Sequence, residues 1–259
     1  MYDLHITHIY LPYINRHIQF HITYRVQSHR RWAKGAAIWS APSMKSKQSP
    51  DTLFDALAMG YETMRKELAW NPFTHIEAAF DGVDLRGMEI LDAGCGTGEC
   101  TRWFAEQGAC PIGIDISGEM CFHAAERSEN IMYLQHDLRD PLPFASSRFD
   151  AVVALGCLEY IADIRATVEE FYRTTKPGGM FLGCFERFGD DCPGKNARQV
   201  VFFDEWMRYR QSRTMIESMF AHRYRHVDIE PVAGFLIEET GETTQYWRVI
   251  AKDAMGMAE

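Results

Sequence analysis

Short apolar runs recur along the middle of the chain, and the first three are followed by acidic residues. These runs and their acids are 88–91 with Asp92, 111–114 with Asp115, and 131–134 with Asp137. Two further runs, 149–155 and 180–185, are almost wholly apolar, which is typical of strands buried on both faces of a parallel sheet. The pattern predicts five strands, with the three carboxylates at one edge of a single sheet.

Apolar residues at three- and four-residue steps predict helices between and around these strands. The predicted helical segments are 50–80, 159–175 and 204–220. Near the end of the chain, 224–232 and 243–251 are predicted to form a pair of strands. We therefore expect an α/β fold with a doubly wound, seven-stranded sheet and helices on both faces.

The first strand leads into a loop with glycine at every second position, Gly94, Gly96 and Gly98. Glycine allows a sharp turn and lets a ligand lie against the main chain. The spacing differs from the G-x-G-x-x-G of dinucleotide sites, which place a pyrophosphate at the following helix. Acidic residues, Asp92 and Glu99, stand at both edges of the loop. They favour a ligand that carries positive charge and disfavour a pyrophosphate.

Five motifs occur in order along the chain. They are Leu91 to Gly98, Gly113 to Ser117, Asp137 to Phe144, Phe149 to Val152, and Lys176 to Gly179. With these motifs the chain resembles the class I S-adenosylmethionine-dependent methyltransferases of the type 11 group. The resemblance covers about residues 85–186 and implies a Rossmann-like fold whose mostly parallel sheet has an antiparallel last strand.

The resemblance also implies S-adenosyl-L-methionine as the cofactor, and it assigns residues to that cofactor. Main-chain groups at Gly94, Cys95 and Gly96, in the loop that Gly98 closes, are expected to lie against the methionine moiety. Asp92, helped by the Leu155 carbonyl, is expected to attract the ammonium group. The adenosine contacts are expected from Asp115 on the ribose hydroxyls, Ile116 and Met120 on the adenine face, and Asp137 and the Leu138 N–H on the adenine edge.

Charge and composition suggest a domain division at about residue 50. Residues 1–50 carry a net charge of +6, against −15 for the remainder. We expect 1–49 to be a basic, disordered arm and 50–259 to be the methyltransferase domain, with a lid at 50–85 and an insert at 186–222. Two alternatives stay open for the arm: residues 1–43 form an organellar transit segment, or translation begins at Met44.

No apolar run is long enough to span a membrane, and no secretory signal is visible. Seven scattered cysteines without metal-type spacing predict a reducing compartment, no metal site and a cytoplasmic protein. A minority alternative is a metalloid methyltransferase using Cys157, Cys184 and Cys192. The oligomeric state stays open.

Aromatic residues in the lid and the insert favour a small-molecule acceptor with an oxygen, nitrogen or sulfur nucleophile, attacked by in-line displacement. The acidic body makes nucleic acid an unlikely partner, although a tRNA-modifying enzyme and a non-catalytic cofactor-binding subunit remain as alternatives. A hydroxyl acceptor needs a base near neutral pH. Tyr61, Glu159, Tyr160 and His222 are the candidates, and the sequence assigns none of them.

Overall fold

A computed structural model describes residues 4–6, 22–24, 50–128, 130–187, 198–202, 206–237 and 242–256. The helices are α1 (Pro50–Leu57), α2 (Tyr61–Glu67), α3 (Phe73–Phe80), α4 (Glu99–Glu106), α5 (Gly118–Glu126), α6 (Ile164–Thr174) and α7 (Arg213–Phe220). The strands are β1 (Leu4–Ile6), β2 (Ile22–Tyr24), β3 (Glu89–Ala93), β4 (Cys110–Asp115), β5 (Met132–Gln135), β6 (Phe149–Ala154), β7 (Thr175–Glu186), β8 (Arg198–Phe202), β9 (Trp206–Arg210), β10 (Tyr224–Ile237) and β11 (Glu242–Ala254). Turns of 3-10 helix lie at Ala58–Gly60 and Leu158–Tyr160.

Seven strands form one sheet in the order β10-β11-β7-β6-β3-β4-β5. The strands from β7 to β5 are parallel, whereas β11 is antiparallel to both of its neighbours. This arrangement confirms the predicted doubly wound sheet and its antiparallel last strand. Chain order reverses beside β3, so a crevice is expected beyond the carboxyl ends of β3 and β6.

Successive side chains of the central strands enter two different cores. Leu91 and Val152 pack with α6 and α7 on one face, and Ile90 and Val153 pack with α3 and α4 on the other. All four are fully buried. Burial on both faces explains why these strands have no polar alternation in the sequence.

Three helix boundaries differ from the predictions. The predicted helix at 204–220 is wrong in its first half, where β9 pairs with β8 as an antiparallel hairpin. Helix α7 starts only after Ser212, whose hydroxyl accepts the Met215 N–H at 3.2 Å. The pairing with β8 outweighs the helical spacing of the apolar residues.

The predicted helical segment at 50–80 consists of three helices, α1, α2 and α3. It is interrupted by the 3-10 turn that ends at Gly60, and again before Pro72, where Ala69 has a φ of 56°. The helix predicted to begin at 159 begins at Ile164, after the second 3-10 turn. Gly60 and Pro72 are both poor helix formers, which accounts for the first two interruptions.

The first 49 residues are described only at β1 and β2, which pair antiparallel. The prediction of a disordered arm therefore lies mostly outside the described residues, and the domain boundary at 50 stays a prediction. Within the described ranges, no helix is both long and apolar enough to cross a membrane.

Candidate functional site

The glycine-rich loop crosses the carboxyl end of β3 and is held by its neighbour strand. The N–H groups of Gly94 and Cys95 both donate to the Ile114 carbonyl, at 2.8 and 3.0 Å. The Gly96 N–H donates to Asp115 Oδ2 at 2.9 Å. Since these three donors are used inside the protein, the loop is fixed before any ligand arrives, and these N–H groups are not available to an anion.

Two positions in this loop accept only glycine. Gly94 has a φ of +76°, and a Cβ there would lie 2.5 Å from the Cβ of Cys157. Gly98 also has a φ of +76°, and a Cβ there would lie 2.6 Å from the Tyr133 hydroxyl. Gly98 precedes the first residue of α4, so its left-handed conformation sets the direction of that helix.

Asp92, at the end of β3, is the most buried of the three strand-end carboxylates. Only 4% of its surface is exposed, and Oδ2 accepts a hydrogen bond from the Thr101 hydroxyl at 2.5 Å. Burial raises the pKa of the Asp92 carboxyl to about 6; the Thr101 hydrogen bond opposes this rise and the charge of Asp115 adds to it. A positive group beside Asp92 would favour its ionised form.

Asp115, at the end of β4, connects the glycine-rich loop to the start of α5. Its two oxygens accept the Gly96 N–H and the Ser117 N–H, each at 2.9 Å. Burial raises the pKa of this carboxyl, although the backbone donors act in the opposite direction. Asp115 is therefore rigidly held at the edge of the sheet.

Asp137, two residues beyond β5, lies in a more exposed setting. The Arg139 guanidinium binds both of its oxygens, with Nε at 2.9 Å from each. Burial acts to raise the pKa of the Asp137 carboxyl, but the Arg139 hydrogen bonds outweigh it and the pKa lies below its ordinary value. Any ligand that uses this carboxylate must share it with Arg139.

Two cavities open at this edge of the sheet. The larger cavity has a volume of about 600 Å³ and the smaller about 460 Å³, and both volumes include space that is open to solvent. Both are lined by Tyr61, Gly94 and Gly96, so they meet above the glycine-rich loop. Of the predicted cofactor residues, the larger cavity is lined by Gly94, Gly96, Asp115, Ile116, Met120, Asp137 and Leu138. The smaller is lined by Asp92, Gly94, Cys95, Gly96 and Leu155. Gly98 lines neither and acts instead at the start of α4.

Helices α1 and α2 cover the two cavities and are attached by polar contacts. Glu62 Oε1 accepts hydrogen bonds from the Thr97 hydroxyl at 2.8 Å and from Arg127 Nη1 at 2.7 Å. Arg65 Nη2 donates to Glu99 Oε2 at 2.6 Å. These contacts attach α2 to the glycine-rich loop and to the start of α4.

A further contact attaches α1 to the other side of the site. The Ser117 hydroxyl donates to Asp55 Oδ1 at 2.5 Å, beside the first turn of α5. Phe54 meets the Tyr160 ring edge-on, with centroids 5.2 Å apart. The cover is thus fixed at both ends of the site.

A buried ionic network lies beyond Tyr160. Arg208 of β9 reaches Glu159 Oε1 at 3.1 Å and Glu186 Oε2 at 2.8 Å. The Tyr246 hydroxyl donates to Glu159 Oε1 at 2.8 Å, and Arg210 pairs with Glu186 at 3.0 Å. At most 3% of the Glu159, Glu186, Arg208 and Tyr246 residues is exposed. The network therefore attaches the insert to the 3-10 turn that follows β6.

The four candidate bases fall in different places. Tyr61 and Tyr160 line the larger cavity, whereas Glu159 is enclosed in the ionic network. His222 is exposed after α7 and lines neither cavity. Burial raises the pKa of the Tyr61 and Tyr160 hydroxyls, which keeps both phenols protonated near neutral pH.

The cysteines give no sign of metal chemistry where they are described. Cys157 lines the larger cavity and Cys184 is buried, while Cys192 lies outside the described residues. No group of three or more His, Cys, Asp or Glu residues in the described ranges is placed to hold a metal ion.

The polar contacts of the cover and the ionic network were not predicted from the sequence. On a helix of 3.6 residues per turn, Arg65 lies near the apolar stripe that contains Tyr61, whereas Asp55 and Glu62 lie away from it. The spacing therefore held a weak signal for a buried partner of Arg65 and none for Asp55 and Glu62. No such signal exists for Glu159 and Arg208, which are 49 residues apart.

Comparison with known proteins gives a consistent result. A family model described as "Methyltransferase domain" matches residues 90–179. The demethylmenaquinone methyltransferase of Tropheryma whipplei (strain Twist) is 27% identical over 219 residues, covering 79% of this chain and 88% of the relative. The malonyl-acyl-carrier-protein O-methyltransferase of Pectobacterium atrosepticum is 34% identical over 94 residues, 36% of this chain and 37% of the relative.

A solved structure shares the fold. It is the 1,6-didemethyltoxoflavin-N1-methyltransferase of Burkholderia thailandensis, crystallised with 1,6-didemethyltoxoflavin and S-adenosylhomocysteine. It superposes with a TM-score of 0.59 at 20% identity, covering 79% of this chain and 87% of that chain.

Proposed function

We propose that the chain, whose residues 90–179 match a methyltransferase-domain family model, is a class I S-adenosylmethionine-dependent methyltransferase that transfers a methyl group to a small-molecule acceptor by in-line displacement. The cofactor supplies a methyl carbon made electrophilic by the sulfonium it is attached to. The named relatives act on a demethylmenaquinone and on a malonyl thioester of acyl carrier protein. An oxygen, nitrogen or sulfur nucleophile is the expectation from the sequence, and a demethylmenaquinone would add a ring carbon, because the methyl group that it lacks is bonded to carbon in menaquinone.

The observation that supports this proposal is the convergence of the expected cofactor residues on two joined cavities. They come from four segments of the chain that follow β3, β4, β5 and β6, and all of them except Gly98 line one cavity or the other. The linings of the two cavities share Gly94 and Gly96, so one elongated ligand lying along these glycines would contact both. The buried Asp92 carboxylate, with its raised pKa, matches a ligand that has an ammonium group at one end.

The roles follow from these positions. Asp92 and Leu155 in the smaller cavity would hold the methionine end, beside Cys95. In the larger cavity Asp115 would accept from the ribose hydroxyls, and Ile116 and Met120 would pack on the adenine ring. Asp137 and the Leu138 N–H would meet the adenine edge, with Asp137 shared between the base and Arg139.

This chain's contribution to the reaction is positioning and exclusion of water. A preorganised loop and a cover attached at both ends hold the reacting groups in line, which supplies much of the acceleration of a bimolecular transfer. The protonated phenols of Tyr61 and Tyr160 suit an acceptor that needs no strong base. Whether a base acts on a hydroxyl acceptor depends on which acceptor binds.

The test is transfer of radiolabelled methyl from S-adenosylmethionine to a panel of acceptors. The panel contains a naphthoquinol, a malonyl thioester, simple thiols and amines, and total tRNA. Label in any small molecule supports the proposal, whereas label only in tRNA replaces it with RNA modification. Tight binding of the cofactor without transfer to any of these acceptors would favour a non-catalytic, cofactor-binding subunit.

A further inference from the structure

Tyr61, the first residue of α2, occupies the junction of the two cavities. Among the described aromatic residues, Phe54 and Tyr160 line only the larger cavity and Trp70 only the smaller one. Tyr61 lines both. Its ring lies over Gly96, where a Cβ would stand 3.6 Å from Tyr61 Cε1.

The position of this ring is constrained by contacts of the residues that follow it in α2. The next residue, Glu62, binds Thr97 and Arg127, and Arg65 one turn later binds Glu99. Tyr61 is therefore held against the glycine-rich loop by the residues that attach α2 to the site.

The chemistry of the cofactor predicts which of its groups lies at this junction. In the proposed binding mode the adenosine occupies the larger cavity and the methionine end the smaller one. The sulfonium joins these two halves, so it must lie where the cavities meet. An aromatic face attracts a cation through its ring quadrupole, and the attraction grows when water is excluded.

We propose that the aromatic ring of Tyr61 binds the sulfonium and thereby makes the site discriminate between the charged cofactor and its neutral demethylated product. This inference rests on the proposed function, because it assumes that the cofactor spans both cavities. Its consequence is faster release of the product, since S-adenosylhomocysteine has no positive charge for the ring to attract.

The test compares the affinities of the full chain for S-adenosylmethionine and S-adenosylhomocysteine by calorimetry. The Tyr61→Leu substitution removes the ring. The dissociation constant for S-adenosylmethionine divided by that for S-adenosylhomocysteine is therefore expected to rise about fivefold. The Tyr61→Phe substitution keeps the ring and is expected to change the ratio less than about twofold. An unchanged ratio in Tyr61→Leu overturns the inference.

A matched control separates this effect from simple loss of packing. Phe54→Leu removes another aromatic ring of the cover, but one that lines the larger cavity alone. It should weaken the binding of both ligands equally and leave the ratio of their dissociation constants unchanged. A rise in the ratio as large as that of Tyr61→Leu would mean that any loosening of the cover produces the effect, which overturns the assignment to Tyr61.

A second measurement applies if Tyr61→Leu does not fold. Incorporation of 3,4,5-trifluorophenylalanine at position 61 preserves the ring shape but removes the negative potential of its face. The ratio should rise relative to Tyr61→Phe, and an equal ratio in the two proteins overturns the inference. Absence of binding of either ligand to the unsubstituted chain would instead overturn the proposed function, and this inference with it.

Discussion

The two sides of the site are built in different ways. The side proposed to bind the cofactor, residues 89–157 and called the cofactor side below, has short-range hydrogen bonds at its strand ends, such as Thr101 to Asp92 nine residues away and Gly96 to Asp115 nineteen residues away, beside longer ones such as Cys157 to Ala93. The cover and the insert are fixed by distant partners, 34 residues apart for Arg65 and Glu99 and 87 for Tyr246 and Glu159. Local contacts leave a motif in the sequence, whereas distant charge pairs leave none.

The two sides of the site also differ in whether their buried acids are paired with cations. The cofactor side holds Asp92, a buried acid whose pKa is raised and which forms no ion pair within the described part of the chain. On the other side, the buried acids Glu159 and Glu186 are already paired with arginine. The first arrangement is suited to binding and the second to holding the insert in place. Substitutions on the two sides should therefore change different measured quantities.

The largest effect is expected from Arg208→Met, which leaves the buried Glu159 without a cation and Glu186 with Arg210 alone. Removing one partner of a buried ionic network costs about 3–5 kcal/mol, so the free energy of unfolding in urea should fall by that amount. Arg213→Met is the control, because Arg213 pairs with Glu217 in a setting where both side chains are about half exposed. The control substitution should lower the free energy of unfolding by less than about 1 kcal/mol. Equal losses in the two variants would contradict a stabilising role for the network.

Gly94→Ala tests the cofactor side. The new Cβ would meet Cys157 at 2.5 Å in a backbone conformation that disfavours alanine. The loop must shift, and the affinity for S-adenosylhomocysteine should fall at least about tenfold, or 1.4 kcal/mol. Gly60→Ala, where nothing lies within 4 Å of the added Cβ, should bind normally. Normal binding by Gly94→Ala would show that the loop does not contact the ligand.

These two sites also show how far sequence reasoning reaches. The sheet, its strand ends and the residues around Gly94 follow from apolar runs and glycine spacing, because each strand brings its own carboxylate to the edge. The strand β9 was predicted as helix, since Met207 and Tyr209 also fit a helical spacing and the pairing with β8 is a tertiary property. The partnership of Arg208 with Glu159 depends on that pairing and was equally invisible.

The pKa of Asp92 gives a prediction that depends on pH. At pH 5 this carboxyl, with a pKa raised to about 6, is mostly protonated, and at pH 7 it is ionised. An ammonium group favours the ionised form, so cofactor affinity should rise as the pH increases from 5 to 7, by about tenfold. Asp92→Asn should remove most of this rise. If affinity depends on pH in the same way in both proteins, Asp92 does not bind the ammonium group.

The smallest effect is expected from Glu62→Gln in the cover. The substitution weakens the ion pairs with Arg102 and Arg127, both of which are partly exposed. Such pairs contribute below about 1 kcal/mol, so cofactor affinity should fall about two- to threefold by calorimetry. Glu67→Gln, at an exposed position of the same helix, should have no effect. A loss of tenfold or more at Glu62 would indicate that the cover, rather than the glycine-rich loop, dominates binding.

The central claim is that the carboxylates at the strand ends bind S-adenosylmethionine across the two joined cavities. The most direct measurement is a calorimetric titration of S-adenosylhomocysteine into the unsubstituted chain and into Asp115→Ala, with the exposed Asp84→Ala as control. The account predicts one ligand per chain, binding at least about tenfold weaker in Asp115→Ala, and normal binding in Asp84→Ala. No heat of binding in the unsubstituted chain, or equal affinity in all three proteins, would contradict it.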